Sequence, residues 1–419
     1  MGHPAQDHRV RGAASRSVRH QHILASALAL LLTAAILLAG RLWAGVLERQ
    51  LIHALAPQEF TLKITGSALQ REAFRHPDLL VIYGSSEIMA LGGGPYAAAE
   101  FFRTRPTGFA TFVVGHPGVT SLHIIQDLAA IGSDLRGKKV VISFTPSMFM
   151  APMVGQEEYA ASFSRLHANE LAFSGQISLA LKTRAARRML QYPGTLEQDP
   201  LLRFALEKLA DPSLLNRGLY FAAWPLGRLQ ILVLRLQDHW ESLRLIRHWR
   251  QRPAEAPHPA PVDWAALKIQ VEEEQQHQAD NNPYGFDNRK WQKYLRAAVA
   301  SGEYVSTDAR FLQALQASEE WNDLDMLLST LRELGARPLI LSRPLNGPFL
   351  DAMGVSARAR QVYYERLQRA VEPYDAPLID FRDHDEDKYF STDPWSHPGW
   401  KGWLYVDEAL DGFFHGTLR

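Results

Sequence analysis

From Ile23 to Ala39 the chain runs unbroken through apolar residues, with Ser26 and Thr33 its only polar side chains. Leu42-Trp43-Ala44-Gly45-Val46-Leu47 extends the run past Arg41. Crossing a hydrocarbon core takes about 20 such residues. Backbone groups in lipid must satisfy one another, so a lone stretch of this kind can only be a helix. Arg9, Arg11, Arg16 and Arg19 precede it, and no balancing run of basic residues follows. The positive-inside rule then puts the N-terminus in the cytoplasm and the remainder outside. The expected layout is a basic cytoplasmic segment over residues 1–22 and a single transmembrane anchor over residues 23–47. A cleaved signal peptide is the competing reading, since alanine-rich sequence can supply a cleavage site. The length of the run, and the fit of Arg41 with Trp43 to an interface, favour the uncleaved anchor.

Charge excludes some functions. Lys plus Arg number 45 and Asp plus Glu number 45, so no global field draws the chain to nucleic acid. Cysteine is absent, which rules out disulfides, thiol catalysis and cysteine-ligated metals. Asp383-His384-Asp385-Glu386-Asp387 reads as an acidic surface turn: it lacks the glycine-bearing loop of a calcium site and any histidine pair at ligand spacing. No cofactor and no metal are expected.

Beyond the anchor, Leu79 to Tyr83 reads as a buried strand, continuously apolar and ended by Gly84. Phe109 to Val114 and Val140 to Phe144 read as two more, with a helix from Ser121 to Ile131 between them. Arg337 to Ser342 and Pro377 to Phe381 resume the pattern much later. Short apolar strands alternating with helices imply a parallel sheet with right-handed crossovers. The α/β domain is therefore expected in two parts, residues 48–155 and 322–419. Residues 156–321 form a helical insertion between them, covering one end of the sheet. Leu201 to Ala210 and Leu226 to Ile246 carry helical periodicity there, and the Pro- and Ala-rich stretch Arg252 to Pro261 reads as a flexible loop.

Two distant segments carry chemistry. Asp393-Pro394-Trp395-Ser396-His397 sets a carboxylate beside an imidazole, and Pro398, Gly399 and Trp400 fix the turn. An Asp can orient a His, which can then deprotonate a hydroxyl held elsewhere in the fold. The hydroxyl is offered by Gly84-Ser85-Ser86-Glu87, at the carboxyl end of the first strand, where open α/β sheets bind ligands. Taken alone, a Gly-Ser-Ser turn is a plain helix cap, and a Trp-flanked His is a packed residue. No Gly-x-Ser-x-Gly elbow surrounds Ser86, which argues against an α/β-hydrolase.

Together the two segments resemble the SGNH-type hydrolase plan, with an early serine on the first strand and a late Asp and His on one loop. More of the chain resembles one branch, the DltD family of membrane-anchored D-alanyl transfer proteins of teichoic acid D-alanylation. The motifs are Tyr83-Gly84-Ser85-Ser86-Glu87, Asn281-Asn282-Pro283-Tyr284-Gly285, Pro344-Leu345-Asn346-Gly347-Pro348 and His397-Pro398-Gly399-Trp400-Lys401-Gly402-Trp403. The resemblance implies Ser86, third in its block, as nucleophile, His397 as general base and then acid, and Asp393 as the group that orients it. Asp and His are separated by one residue more than the family pattern has. Val113 to Thr120 resembles the second SGNH block and nominates the Gly118 amide, beside that of Ser86, as an oxyanion donor. In the third block Ser147 stands in for the usual asparagine. Glu87 reads as a helix-start charge rather than a ligand for a substrate ammonium.

The resemblance further implies that a D-alanyl group is moved through a Ser86 ester to a hydroxyl of a cell-envelope polymer. A membrane-bound O-acyltransferase partner would deliver the donor. Two alternatives remain at this level: an O-acetyl esterase or acetyltransferase of an exported polysaccharide, and a non-catalytic anchored protein that binds the carrier or polymer.

Overall fold

The computed structural model describes residues 7–89, 94–211, 213–248 and 258–418. Residues 252–257 of the loop expected at Arg252 to Pro261 lie outside that set. Five parallel strands form one sheet in the order β2-β1-β3-β4-β5. They are β1 (Leu79–Gly84), β2 (Ala110–Gly115), β3 (Lys139–Phe144), β4 (Arg337–Ser342) and β5 (Leu378–Ile379). β1 aligns Leu79 with Ala110 on one side and Val81 with Val140 on the other. β4 joins β3 through Val141 opposite Leu339, and β5 joins β4 through Ile340 opposite Leu378.

The strands read as continuous apolar runs because both faces of the sheet are covered. Side chains alternate: Val81, Tyr83, Phe112, Val114, Val140 and Ile142 enter one core. Leu80, Ile82, Val113, Val141, Leu339 and Leu341 enter the other. Helices Ser121–Ile131, Arg165–Phe173 and Glu320–Leu334 cover the first face. Helices Ala98–Thr104, Trp264–Gln276 and Trp400–His415 cover the second. The result is three layers. The insertion feeds both faces rather than capping one end, since Leu171 and Leu181 lie in the first core and Val271 in the second. β5 is shorter than its apolar run: Pro377 has no N–H to give, and Phe381 turns into the left-handed region at φ 49°.

One helix, Asp7–Leu55, carries the apolar segment and continues without a break into the domain. It is long and apolar enough between His22 and Leu55 to cross a membrane. Leu30, Leu31 and Leu42 stand exposed, whereas Ala44, Glu48, Ile52 and Leu55 are buried. Those four, spaced four, four and three apart, make one helical face. Glu48 Oε1 lies 2.9 Å from Nδ1 of His239 on the Leu214–His248 helix, so a hydrogen bond and apolar packing together seat the helix end.

Candidate active site

Strand order reverses between β1 and β3, and in open parallel sheets the crevice at that point, beyond the carboxyl ends, is where ligands collect. Ser85 and Ser86 follow β1, and Thr145 and Ser147 follow β3. A cavity of about 320 Å³ opens there, bounded by both pairs together with Gly118, Trp395 and His397.

The two serines have different environments. Ser85 Oγ donates to the His116 carbonyl at 3.2 Å, and its amide donates to the Glu87 carboxylate at 3.0 and 3.1 Å. Ser86 Oγ lies 2.8 Å from His397 Nε2. Glu87 is buried and lies outside the cavity. Burial raises its carboxyl pKa, against the pull of the buried guanidinium of Arg343. Arg343 itself stands between the charges of Glu87 and Asp407, and burial lowers its pKa to about 10. None of Glu87, Arg343 and Asp407 lines the cavity.

On the far side of the imidazole, His397 Nδ1 is 2.9 Å from each Asp393 oxygen. Within this loop Ser396 adopts φ 64°. A short bridge between Ser391 and Pro398, with the Thr392 amide donating to the His397 carbonyl at 2.8 Å, closes the loop below it. Asp393 is also held from outside. Its Oδ2 is 2.5 Å from Lys290 Nζ, and its Oδ1 accepts the Trp395 amide at 3.1 Å. Burial pushes the Asp393 carboxyl up, but the His397 hydrogen bond and the Lys290 charge outweigh it and hold it below the usual range. Such a carboxylate keeps the proton on Nδ1 and leaves Nε2 free to accept one from Ser86.

Gly118 has φ 81°, a backbone conformation that selects glycine, and the Glu158 side chain lies over it. The next residues are pinned by His123, whose Nδ1 accepts the Thr120 amide at 3.1 Å. Burial lowers the His123 pKa to about 4, which keeps that nitrogen an acceptor. Neither the Ser86 nor the Gly118 amide is taken up by a hydrogen bond within the described residues. Ser147 Oγ bonds Thr145 Oγ1 at 2.8 Å and borders the same cavity.

The two glycine-bearing motifs of the insertion and second core half meet beneath the His397 loop. Asn282 Oδ1 accepts the Tyr284 and Phe286 amides at 3.2 and 3.0 Å. Gly285, at φ 70°, lies against the Lys388 carbonyl, leaving no room for a Cβ. Asn346 Oδ1 caps the Gly347–Ala352 helix by accepting the Phe349 amide at 2.9 Å. The Asp383 to Asp387 turn is spent on ion pairs, Asp385 with Arg360 at 2.7 Å and Asp387 with Lys401 at 2.6 Å.

Sequence reasoning missed Lys290 and the charged wall of the cavity, made by Glu158, Arg188, Glu320 and Asp323. Arg188 grips Asp323 through two bonds of 2.8 and 2.7 Å. The sequence signal, such as it was, lay in Lys290 standing five residues after the Asn281 to Gly285 motif.

Fold and site define a class: a three-layer α/β protein with a serine, a histidine and an aspartate in hydrogen-bonding sequence at the carboxyl end of its parallel sheet. A family model described as DltD protein matches residues 59–415, and the chain belongs to that family. It is similar to Protein DltD of Bacillus subtilis (strain 168), 27% identical over 365 residues, covering 86% of this chain and 88% of the relative. Protein DltD of Staphylococcus aureus (strain NCTC 8325 / PS 47) is 25% identical over 350 residues, covering 83% and 84%. Protein DltD of Lacticaseibacillus rhamnosus is 22% identical over 371 residues, covering 84% and 81%.

Proposed function

We propose that this protein is a membrane-anchored, extracytoplasmic serine acyltransferase that moves a D-alanyl group onto a hydroxyl of a cell-envelope polymer. The observation that carries the reading is the continuous path from Ser86 Oγ through His397 to Asp393, at 2.8 and 2.9 Å, opening into a cavity. Membership of the DltD family supports the identity of the acyl group.

In the first half, His397 Nε2 takes the Ser86 proton as Oγ bonds the donor's carbonyl carbon. The tetrahedral intermediate collapses to the Ser86 ester, and the imidazolium returns its proton to the departing group. In the second half, an acceptor hydroxyl gives its proton to Nε2 and attacks the ester carbonyl. Ser86 Oγ then leaves and recovers the proton. The amides of Ser86 and Gly118 serve the developing oxyanion, each such donor worth ~3 kcal/mol in related sites; Ser147 is placed to assist. Asp393 holds the imidazole's tautomer and stabilises its charged form.

Residues 1–22 are assigned to the cytoplasm and residues 23–47 to the membrane. Residues 48–155 and 322–419 form the transfer domain, interrupted by the helical insertion at 156–321. The donor is supplied by a membrane-bound O-acyltransferase. A reporter fused to the C-terminus should be active only in an extracytoplasmic assay.

The test is covalent. Full-length protein exposed to an active-site serine phosphonate should be labelled on Ser86, and Ser86→Ala should not be. Mass spectrometry of the polymer from cells with and without the protein should show D-alanyl esters lost. Loss of acetyl groups instead would replace the acyl assignment, and absence of labelling would remove the covalent step.

A further inference from the structure

The wall of the cavity formed by the insertion and by the start of the Glu320–Leu334 helix is acidic. Glu158, Glu320 and Asp323 face a single guanidinium, that of Arg188. Asp323 is paired with that guanidinium through both of its oxygens. Glu320 is not. Its residue is 6% exposed, its Oε1 accepts the Ser121 amide at 2.8 Å, and the Ser121 side chain also interacts with the carboxyl. Part of its role is thus to cap the Ser121–Ile131 helix. The same deeply buried residue lines the cavity that also holds Ser86.

Burial and the neighbouring Asp323 charge push the Glu320 carboxyl up, against the pull of the Ser121 hydrogen bonds and the Arg188 charge. Glu158 sits over Gly118, the residue nominated to hold the ester oxygen, and brings a further carboxylate to the same space. An acyl group without charge would gain nothing from such a wall. An α-aminoacyl ester carries an ammonium one carbon from the reacting carbonyl, with three donors for these oxygens.

We infer that Glu320 is a specificity residue that receives the ammonium of an α-aminoacyl ester, so that the cavity selects aminoacyl groups over uncharged acyl groups of the same size. The inference rests on the proposed acyl-transfer reading of the cavity and deepens it. Glu87, the other acid near the nucleophile, is excluded from this task by its place outside the cavity.

The test measures binding rather than turnover. Full-length Ser86→Ala protein is titrated by NMR with D-alanine methyl ester and with methyl propionate, which differ only in the amino group. The expected result is at least tenfold tighter binding of D-alanine methyl ester. Glu320→Gln, added to Ser86→Ala, keeps side-chain size and the oxygen that caps Ser121, and should erase most of that preference. Glu320→Asp should retain part of it. No preference in the Ser86→Ala parent would overturn the inference even if the Gln variant failed to fold, and so would a preference that survives Glu320→Gln. Failure of the acyl-transfer reading is seen separately, as ester turnover that persists in Ser86→Ala.

Discussion

The two ends of the Ser86–His397 hydrogen bond are held by different means. Ser86 is the second residue after a strand paired on both sides, with Glu87 pinning the Ser85 amide and Arg343 buried behind it. His397 lies on a loop that carries a left-handed serine and is braced from the insertion by Lys290, 103 residues away in sequence. A serine that follows a core strand thus meets an imidazole whose orientation is assembled from two parts of the chain, its own loop and the insertion.

The sharpest break of this contrast is at the nucleophile. Ser86→Ala should reduce ester turnover to background while leaving the thermal melt unchanged, because the covalent step is deleted. Ser85→Ala should lose a few-fold at most, since that hydroxyl is spent on the His116 carbonyl. Comparable losses from both variants would mean that the turn, not one hydroxyl, is what matters.

At the other end, Asp393→Asn should lower kcat by about 10⁴, the scale seen when an orienting aspartate is replaced and the imidazole takes the wrong tautomer. A near-silent Asp393→Asn would leave Ser86 and His397 as a dyad.

Lys290→Met tests the brace itself and should cost about tenfold in kcat/KM, an estimate for losing one charge-assisted hydrogen bond. The sign of its pH effect follows from Asp393. Lys290 helps depress that carboxyl's pKa, so its removal moves the pKa up. The acid limb of the kcat/KM profile should shift to higher pH, with the alkaline limb unmoved. A uniform loss at all pH values would assign Lys290 a packing role only.

Gly285→Ala probes the loop's floor. The positive φ and the Lys388 carbonyl together should destabilise the protein by ~2 kcal/mol or more, read in a denaturant titration. Activity should fall further than after an equally destabilising change distant from the loop.

The smallest effect concerns Glu320. Its folded pKa lies above the unfolded value, so the folded state keeps a proton that the unfolded chain releases above roughly pH 4.5, and stability falls as pH rises from there. Glu320→Gln removes the dependence. It should therefore gain on the order of 1 kcal/mol relative to the parent at pH 8 compared with pH 5, measured by thermal melts at the two pH values.

The same asymmetry governs what could be read in the sequence. β1, β3 and the Ser121–Ile131 helix were visible because an apolar run buried on two faces, or a period of 3.6, is written in consecutive residues. Ser86 was visible for the same reason, as the second residue after such a strand. Asp393 and His397 were visible because they are four apart on one loop. Lys290 and Glu320 were not, because each acts on a partner whose position only the folded chain defines, and a lone Lys or Glu on a polar helix looks like solvent-facing charge. The reach of the insertion to both faces was hidden likewise: amphipathic helices announce an apolar side and not which neighbour covers it.

The helix Asp7–Leu55 runs from the apolar segment into the α/β domain without a break, its last turns packed by Ala44, Glu48, Ile52 and Leu55. A flexible tether would let the domain sample a volume that grows with linker length. A helix rising about 1.5 Å per residue is a strut instead, and if its apolar part sits in lipid it gives the domain one height above the surface. Under the proposed acyl-transfer reading, Ser86 would then be a fixed station, and donor and acceptor hydroxyls would have to travel to it.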